Sequence, residues 1–430
     1  MGSQAEKIVV SLIILILPAV LVYPLPWNGM QMPKEEPISS IVPENYEIRT
    51  AMADLFTASS FQLEKVKERV FVQRASLQRV KVKTERTNLA TYIVFSNEEN
   101  GQFPLYGAGS WIIKRDGRTG ALLQAKIFYR TDPGCYMRLH PEGDKTVLEL
   151  YLFDTLIHRA IPIGIPLQIL LTEPFQTILD HTRNWVDWDT LLSRMPSQYY
   201  DSIVYMVERI RKDLPLLPDA EDGAMDKNGK LVFIESLKSQ ERLPGFNCSG
   251  FAKWVADGLY KQRTGMFLDI EDLKKKQLSI RGNRITNRYE EERDPFFGLD
   301  WTRNIAQILS GSSDPERQDV RNLPYGRYRE DIGFPMNELK GILFYLAVRE
   351  PGMFYLGSIN REYGHEPILR QHYHIVVLFP YFLETGEFRV VVFERNVESD
   401  LASLNKRYPG DFIHLVRIEA DTIFNPPRVE

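Results

Sequence analysis

Cysteine is nearly missing from this chain. Cys135 and Cys248 are the only two in 430 residues, which excludes a disulfide framework. Excess charge is missing too: 53 Lys and Arg stand against 57 Asp and Glu, a net of -4, and this offers no electrostatic footprint for nucleic acid. No glycine-rich loop lies between a strand and a helix in the pattern that cradles phosphates, so nothing points to a nucleotide. His140, His158 and His181 stand singly, without the spacing of metal ligands, and no cofactor or metal is implied. What is there is 43% hydrophobic and 26% charged residues. That suits a folded globular protein with length enough for two or three domains.

The first 27 residues differ from the rest. Lys7 precedes an apolar run from Ile8 to Leu17, interrupted by Ser11, which Pro18 to Tyr23 extends. A basic residue before a short apolar stretch is the pattern of an export signal. No clear small-x-small cleavage site follows. Residues 1–27 are therefore expected to be a signal peptide or a membrane anchor, with residues 8–25 as the tether in the second case. Pro18, Pro24 and Pro26 argue against a buried core helix. Residues 28–45 are rich in Pro, Ser and Glu and read as a linker. Export would place the remainder in an oxidising compartment, where Cys135 and Cys248 have the option of pairing.

From 46 to 198 the chain reads as a β-rich domain. It starts with an amphipathic helix around Ala51 to Val70. Strands are expected at Ala90–Phe95, Ser110–Lys114, Ala121–Tyr129, Thr146–Phe153 and Ile165–Leu171. Asp116-Gly117 and Asp132-Pro133-Gly134 supply turns between them. No catalytic grouping is visible in this part, and Cys135, just past a turn, looks structural. Trp185 and Trp188 suit packing better than stacking on a sugar.

Residues 199–430 carry the chemistry. Ile203, Met206, Val207, Ile210 and Leu214 predict a helix from Tyr199 to Leu214, ended by Pro215. In Gly245-Phe246-Asn247-Cys248-Ser249-Gly250-Phe251, Asn247 is a good N-cap. Phe251, Trp254, Val255 and Leu259 then form one apolar helical stripe. Cys248 falls on the first turn, where unpaired N–H groups and the positive end of the dipole favour a thiolate. Ser249 and Gly250 leave the sulfur uncrowded, and neighbouring N–H groups suit an oxyanion. Further helices are expected at Trp301–Leu309 and Glu338–Val348. Strands are expected at 352–357, 372–379, 388–394 and 411–419, an α+β arrangement. His372 and His374 are two apart, so both are expected on one sheet face. A hairpin at Thr385-Gly386 brings Glu394, Arg395 and Asn396 back beside His374. One residue of register slip exchanges faces, so Glu394 and Asn396 both remain candidates to orient the imidazole.

These residues resemble the NlpC/P60 family of papain-like cysteine peptidases. Asn247-Cys248-Ser249-Gly250-Phe251 is similar to its Asp-Cys-Ser-Gly-hydrophobic helix start. Pro351-Gly352-Met353-Phe354-Tyr355 is similar to its Pro-Gly-Asp strand. His374-Ile375-Val376-Val377-Leu378 is similar to its histidine-led strand, and Phe388 to Glu394 falls where its next strand carries the third polar residue. Asn247 and Met353 stand where the family has aspartates. The long gap between Cys248 and His374 implies an insertion at about 261–340 that is expected to cover the cleft.

The resemblance covers roughly residues 199–430 and not the β-rich domain; after that domain it implies a papain-like one, with the cysteine-bearing helix packed on an antiparallel sheet. It implies Cys248 as nucleophile, His374 as base and Glu394 or Asn396 as the orienting group, with Asn247, Ser249 and His372 adjacent. The implied substrate is an amide bond of peptidoglycan stem peptides or another peptide, met in the cell envelope or periplasm. A different class is an envelope scaffold that keeps the fold without the chemistry. A third is a metal site at His372 and His374, with His365 and Glu366 nearby.

Overall fold

The computed structural model describes residues 42–242, 244–278, 293–312, 314–365 and 368–429. The export segment and most of the linker lie outside these residues.

The N-terminal part is built on one antiparallel meander. β1 (Arg69–Val72), β2 (Arg79–Arg86), β3 (Ala90–Asn97), β4 (Trp111–Asp116), β5 (Leu122–Phe128), β6 (Tyr136–Glu142), β7 (Lys145–Leu152) and β8 (Thr155–Ile163) lie side by side in chain order. Period-two burial decides the faces. In β4, Trp111, Ile113 and Arg115 turn inward while Ile112, Lys114 and Asp116 are more accessible. Helix α1 (Tyr46–Ala51) is tied to this core by Arg49, which stacks over Trp111 at 3.7 Å. The same guanidinium donates to Asn45 Oδ1 at 2.7 Å and to the Glu173 carbonyl at 2.9 Å. Helix α2 (Phe175–Thr182) follows the sheet.

Two expectations for this part fail. The single helix from Ala51 to Val70 is instead α1, a short 3-10 turn at Ala53–Phe56, one helical turn at Ser60–Leu63 and then β1. The break is a capping box, in which the Ser59 and Gln62 side chains each satisfy the other's backbone N–H. Ile165–Leu171 is not a strand: Pro166 starts a helical turn at Leu167–Leu170, and the eighth strand is Thr155–Ile163. A short apolar run does not by periodicity alone distinguish a buried strand from a buried helical turn.

Beyond it, α3 (Asp201–Asp213) leads to a small two-stranded ladder of β9 (Ala224–Met225) and β10 (Leu231–Val232). Helices α4 (Cys248–Thr264), α5 (Phe297–Ser310) and α6 (Leu339–Arg349) follow. The second sheet comprises β11 (Phe334–Pro335), β12 (Met353–Tyr363), β13 (Leu369–Phe382), β14 (Phe388–Glu394), β15 (Val397–Ser399) and β16 (Phe412–Glu419), with α7 (Leu401–Arg407) before the last strand. Its order is β11-β16-β12-β13-β14-β15, all antiparallel. The whole is thus α+β with a large N-terminal sheet.

One apolar core runs from the first sheet through α3, α4 and α5 to one face of the second sheet, where Phe354, Val377, Phe379 and Phe393 meet Phe251 and Trp254. A second cluster covers the other face, with Ile342 and Leu346 of α6 and Leu404 of α7 against Val376, Leu378 and Val392. The described part of the 261–340 insertion builds core. Trp301, Ile305 and Ala306 of α5 are buried, and Trp301 Nε1 donates to the Ser249 carbonyl at 3.0 Å. Residues 279–292, the rest of the expected cleft cover, lie outside the described residues.

Candidate active site

Helix α4 starts as its sequence suggests. Asn247 has extended backbone, and its Oδ1 accepts from the Gly250 N–H at 2.8 Å. That occupies the side chain as a cap. The Asn247 N–H itself donates to the Gly223 carbonyl at 3.1 Å. The two segments touch so closely that a Cβ on Gly250 would lie 1.9 Å from that oxygen. Glycine here is a requirement of close approach, and it fixes where the first turn, and so Cys248, sits.

The histidine strand carries a bulge. Ile359 pairs with His374 and Asn360 pairs with His372, so Tyr373 has no opposite residue. An extra residue reverses the alternation beyond it. His372 and His374 therefore face opposite sides of the sheet, contrary to the expectation from their spacing. His372 points into the core, with Nδ1 2.9 Å from Ser358 Oγ and Nε2 2.9 Å from the Asp331 carbonyl. Burial, with the nearby His414, holds its pKa well below the usual histidine range. It is a structural neutral imidazole and does not adjoin the sulfur.

His374 does. The pairing of β14 to β13 runs from Phe388–Phe382 to Phe393–Val377, which leaves the edge of β13 open beside Ile375. The first turn of α4 fills that gap. The Cys248 sulfur lies beside the His374 ring, the Ile375 N–H and the Ser249 side chain, close enough for all three to favour its thiolate. Burial raises the thiol pKa, but the His374 bond and charge, with the Ile375 and Ser249 bonds, outweigh it, and the net direction is downward. On the other side of the ring, His374 Nε2 lies 3.2 Å from Glu394 Oε2, both side chains being nearly buried.

Asn396, the alternative orienting group, is elsewhere: its Nδ2 donates to the Leu217 carbonyl at 2.9 Å. The tight turn from β14 to β15 carries it away. Arg395 in that turn adopts φ +52°, a left-handed conformation, and its guanidinium reaches Asp219 at 3.1 Å. The two cysteines are both free. Cys135 is buried in the first sheet's core, and burial together with Asp132 pushes its thiol up to about 12.

An open cavity of about 710 Å³ lies on the His374 side, lined among others by Tyr373, His374, Glu394, Arg395, Arg407 and Tyr408. Arg407 and Tyr408 went unnoticed in the sequence. Arg407 forms an ion pair with Glu394 Oε1 and donates to Ser399 Oγ at 2.9 Å. The Tyr408 ring packs on the His374 ring at 5.4 Å, and its hydroxyl reaches Glu394 Oε2 at 3.4 Å. The available signal was Asp400-x-x-Ser403, where Asp400 caps α7 by accepting from Ser403 N–H at 2.8 Å.

Among the described residues no group of three or more His, Cys, Asp and Glu side chains is placed to hold a metal ion. Glu366 lies outside them, and the opposed directions of His372 and His374 rule out a two-histidine ligand pair. Also among the described residues, no helix is long and apolar enough to cross a membrane. The 8–25 segment is not one of them.

A family model described as "Domain of unknown function (DUF8515)" matches residues 39–190, the stretch that holds the whole eight-stranded sheet. No curated protein and no solved structure matches the chain.

Proposed function

We propose that Cys248, His374 and Glu394 are the nucleophile, base and orienting group of an exported cysteine hydrolase that cleaves an amide bond. The observation that carries this reading is the placing of His374 between a carboxylate 3.2 Å from its ring and a thiol at the first turn of a helix whose ionisation it favours. In the acylation step the Cys248 sulfur attacks the carbonyl carbon and a C–S bond forms. The C–N bond breaks as the imidazolium of His374 gives its proton to the leaving amine. Unpaired N–H groups of the first turn of α4 are the natural donors to the oxyanion. Water then adds to the thioester with His374 as base, releasing the acid and restoring the thiol. The Cys-Ser-Gly helix start and the histidine-led strand keep the NlpC/P60-like papain fold as the favoured kinship. Peptides of the peptidoglycan stem are the favoured substrate, and the cell envelope or periplasm is the favoured site of action.

The test is single-turnover release of amine from purified cell-wall material, wild type against Cys248→Ala. Loss of release in the variant is expected, and equal release by both proteins would end the proposal.

One observation favours the second class, a scaffold without chemistry: the cavity is lined by His374 and Glu394 but not by Cys248. Labelling with a small electrophile separates the two. Rapid modification of Cys248 at neutral pH supports the enzyme, and an inert thiol supports the scaffold.

A further inference from the structure

Glu394 does not stand alone behind His374. One oxygen meets the imidazole at 3.2 Å, and the other is held by the Arg407 guanidinium. Arg407 is tied in turn to Ser399 Oγ at 2.9 Å, so it is anchored on both β14 and β15. It comes from the last residue of α7, and the next residue, Tyr408, covers the imidazole face. Both contacts are made by the one nitrogen Nη2, and a charge-assisted bond to one carboxylate oxygen restrains the carboxylate with its other oxygen toward the ring. The carboxylate also has its charge largely compensated.

The groups facing the Cys248–His374 pair can be named element by element. Glu394 comes from β14 and Arg407 and Tyr408 from α7, with Ser249 beside the sulfur on α4. From β13 comes Tyr373, whose hydroxyl is already taken by Asp411 and Arg361. Of these, Glu394 is the anion and Arg407 the cation that offsets it.

We propose that Arg407 is a positioning residue for the triad: it fixes the Glu394 carboxylate toward His374 and compensates its charge, so that the thiolate of Cys248 is not disfavoured by an adjacent bare anion. The proposal rests on the hydrolase reading and goes beyond it, since nothing in the nucleophile–base pair by itself calls for an arginine. Arg407 acts through Glu394 and needs no contact with substrate.

The test is the pH dependence of Cys248 alkylation by iodoacetamide on the full chain, from about pH 5 to about pH 9, a range that brackets an ordinary thiol. In Arg407→Ala the onset of alkylation is expected to move up by roughly half a unit to one unit, the scale of losing one nearby compensating charge. Arg407→Lys is expected to restore most of the onset while recovering less of the amide hydrolysis, since lysine replaces the charge but not the planar group that reaches Glu394 and Ser399 together. In a Glu394→Gln background the further Arg407→Ala change is expected to do nothing, as a double-mutant cycle requires of residues acting in series. An unmoved onset in a folded Arg407→Ala protein overturns the proposal. So does a shift that persists undiminished in the Glu394→Gln background. A wild-type Cys248 inert over the whole range is a different failure, which removes the hydrolase reading itself.

Discussion

Replacing His374 with Ala tests the centre of the site with a calculable result. In the native protein burial raises the Cys248 thiol pKa, and the His374 hydrogen bond and charge lead the influences that lower it below the ordinary value. Removing the ring leaves the burial effect opposed only by the Ile375 N–H and Ser249. A partner of this kind typically shifts a thiol by about 1 to 2 units. Each unit of rise cuts the thiolate fraction near neutral pH about ten-fold, while the more basic sulfur attacks roughly three-fold faster. The net loss in alkylation is then about three-fold per unit, or ~3- to ~10-fold in all. Amide hydrolysis loses the proton donor as well and should fall by a further factor on the order of 10²–10⁴.

The assay is pseudo-first-order iodoacetamide labelling with the modified peptide identified. Cys135, buried and pushed up to about 12, serves as the internal control. Equal labelling of Cys248 in wild type and His374→Ala would refute the argument, because it would mean that the imidazole does not act on the sulfur. Labelling of Cys135 at a rate comparable to Cys248 would refute the burial assignment of the two thiols.

Two further outcomes are expected elsewhere in the fold. Gly250→Ala places a methyl 1.9 Å from the Gly223 oxygen; we expect about 1–3 kcal/mol of destabilisation from forced backbone movement, read by urea denaturation, together with slower Cys248 labelling as the helix start shifts. Wild-type stability would show that the approach of the two segments is easily relaxed. His372 is held neutral in the fold, its pKa well below the ordinary value through burial and then His414. Below about pH 6.5 the unfolded chain gains a proton there that the folded one refuses, so stability falls as pH drops, by up to ~1.4 kcal/mol per unit from this group. His372→Asn should remove that share of the slope between about pH 7 and about pH 5, as measured by denaturant midpoints. An unchanged slope would mean that the ring titrates normally.

Much of the site was legible in the sequence because its parts are local. The Asn247 cap, the apolar stripe of Phe251, Trp254, Val255 and Leu259, and glycine at 250 all act within two turns of one helix. They place Cys248 on its first turn without reference to the rest of the chain. The strand with His374 and the hairpin returning to Glu394 were legible for the same reason, a period of two and a glycine turn. The N-terminal helix from Ala51 to Val70 was misread because a side-chain capping box breaks the run at Ser59. The Asp400 cap signals the helix that ends in Arg407, but not the role of Arg407 and Tyr408. They reach Glu394 and His374 only after α7 folds back over the sheet, and no sequence spacing encodes that return.

Residue order by itself determined the elements: a thiol at a helix start, an imidazole on a strand and a carboxylate on the next strand. Tertiary structure alone decided the choice between Glu394 and Asn396, and the separation of His372 from His374. The physical reason is register. A single unpaired residue at Tyr373 inverts which side chains face the core, and a two-residue turn sends Asn396 to Leu217 instead of the ring. Such shifts depend on how neighbouring strands pair, which is a property of the sheet and not of any one strand in it.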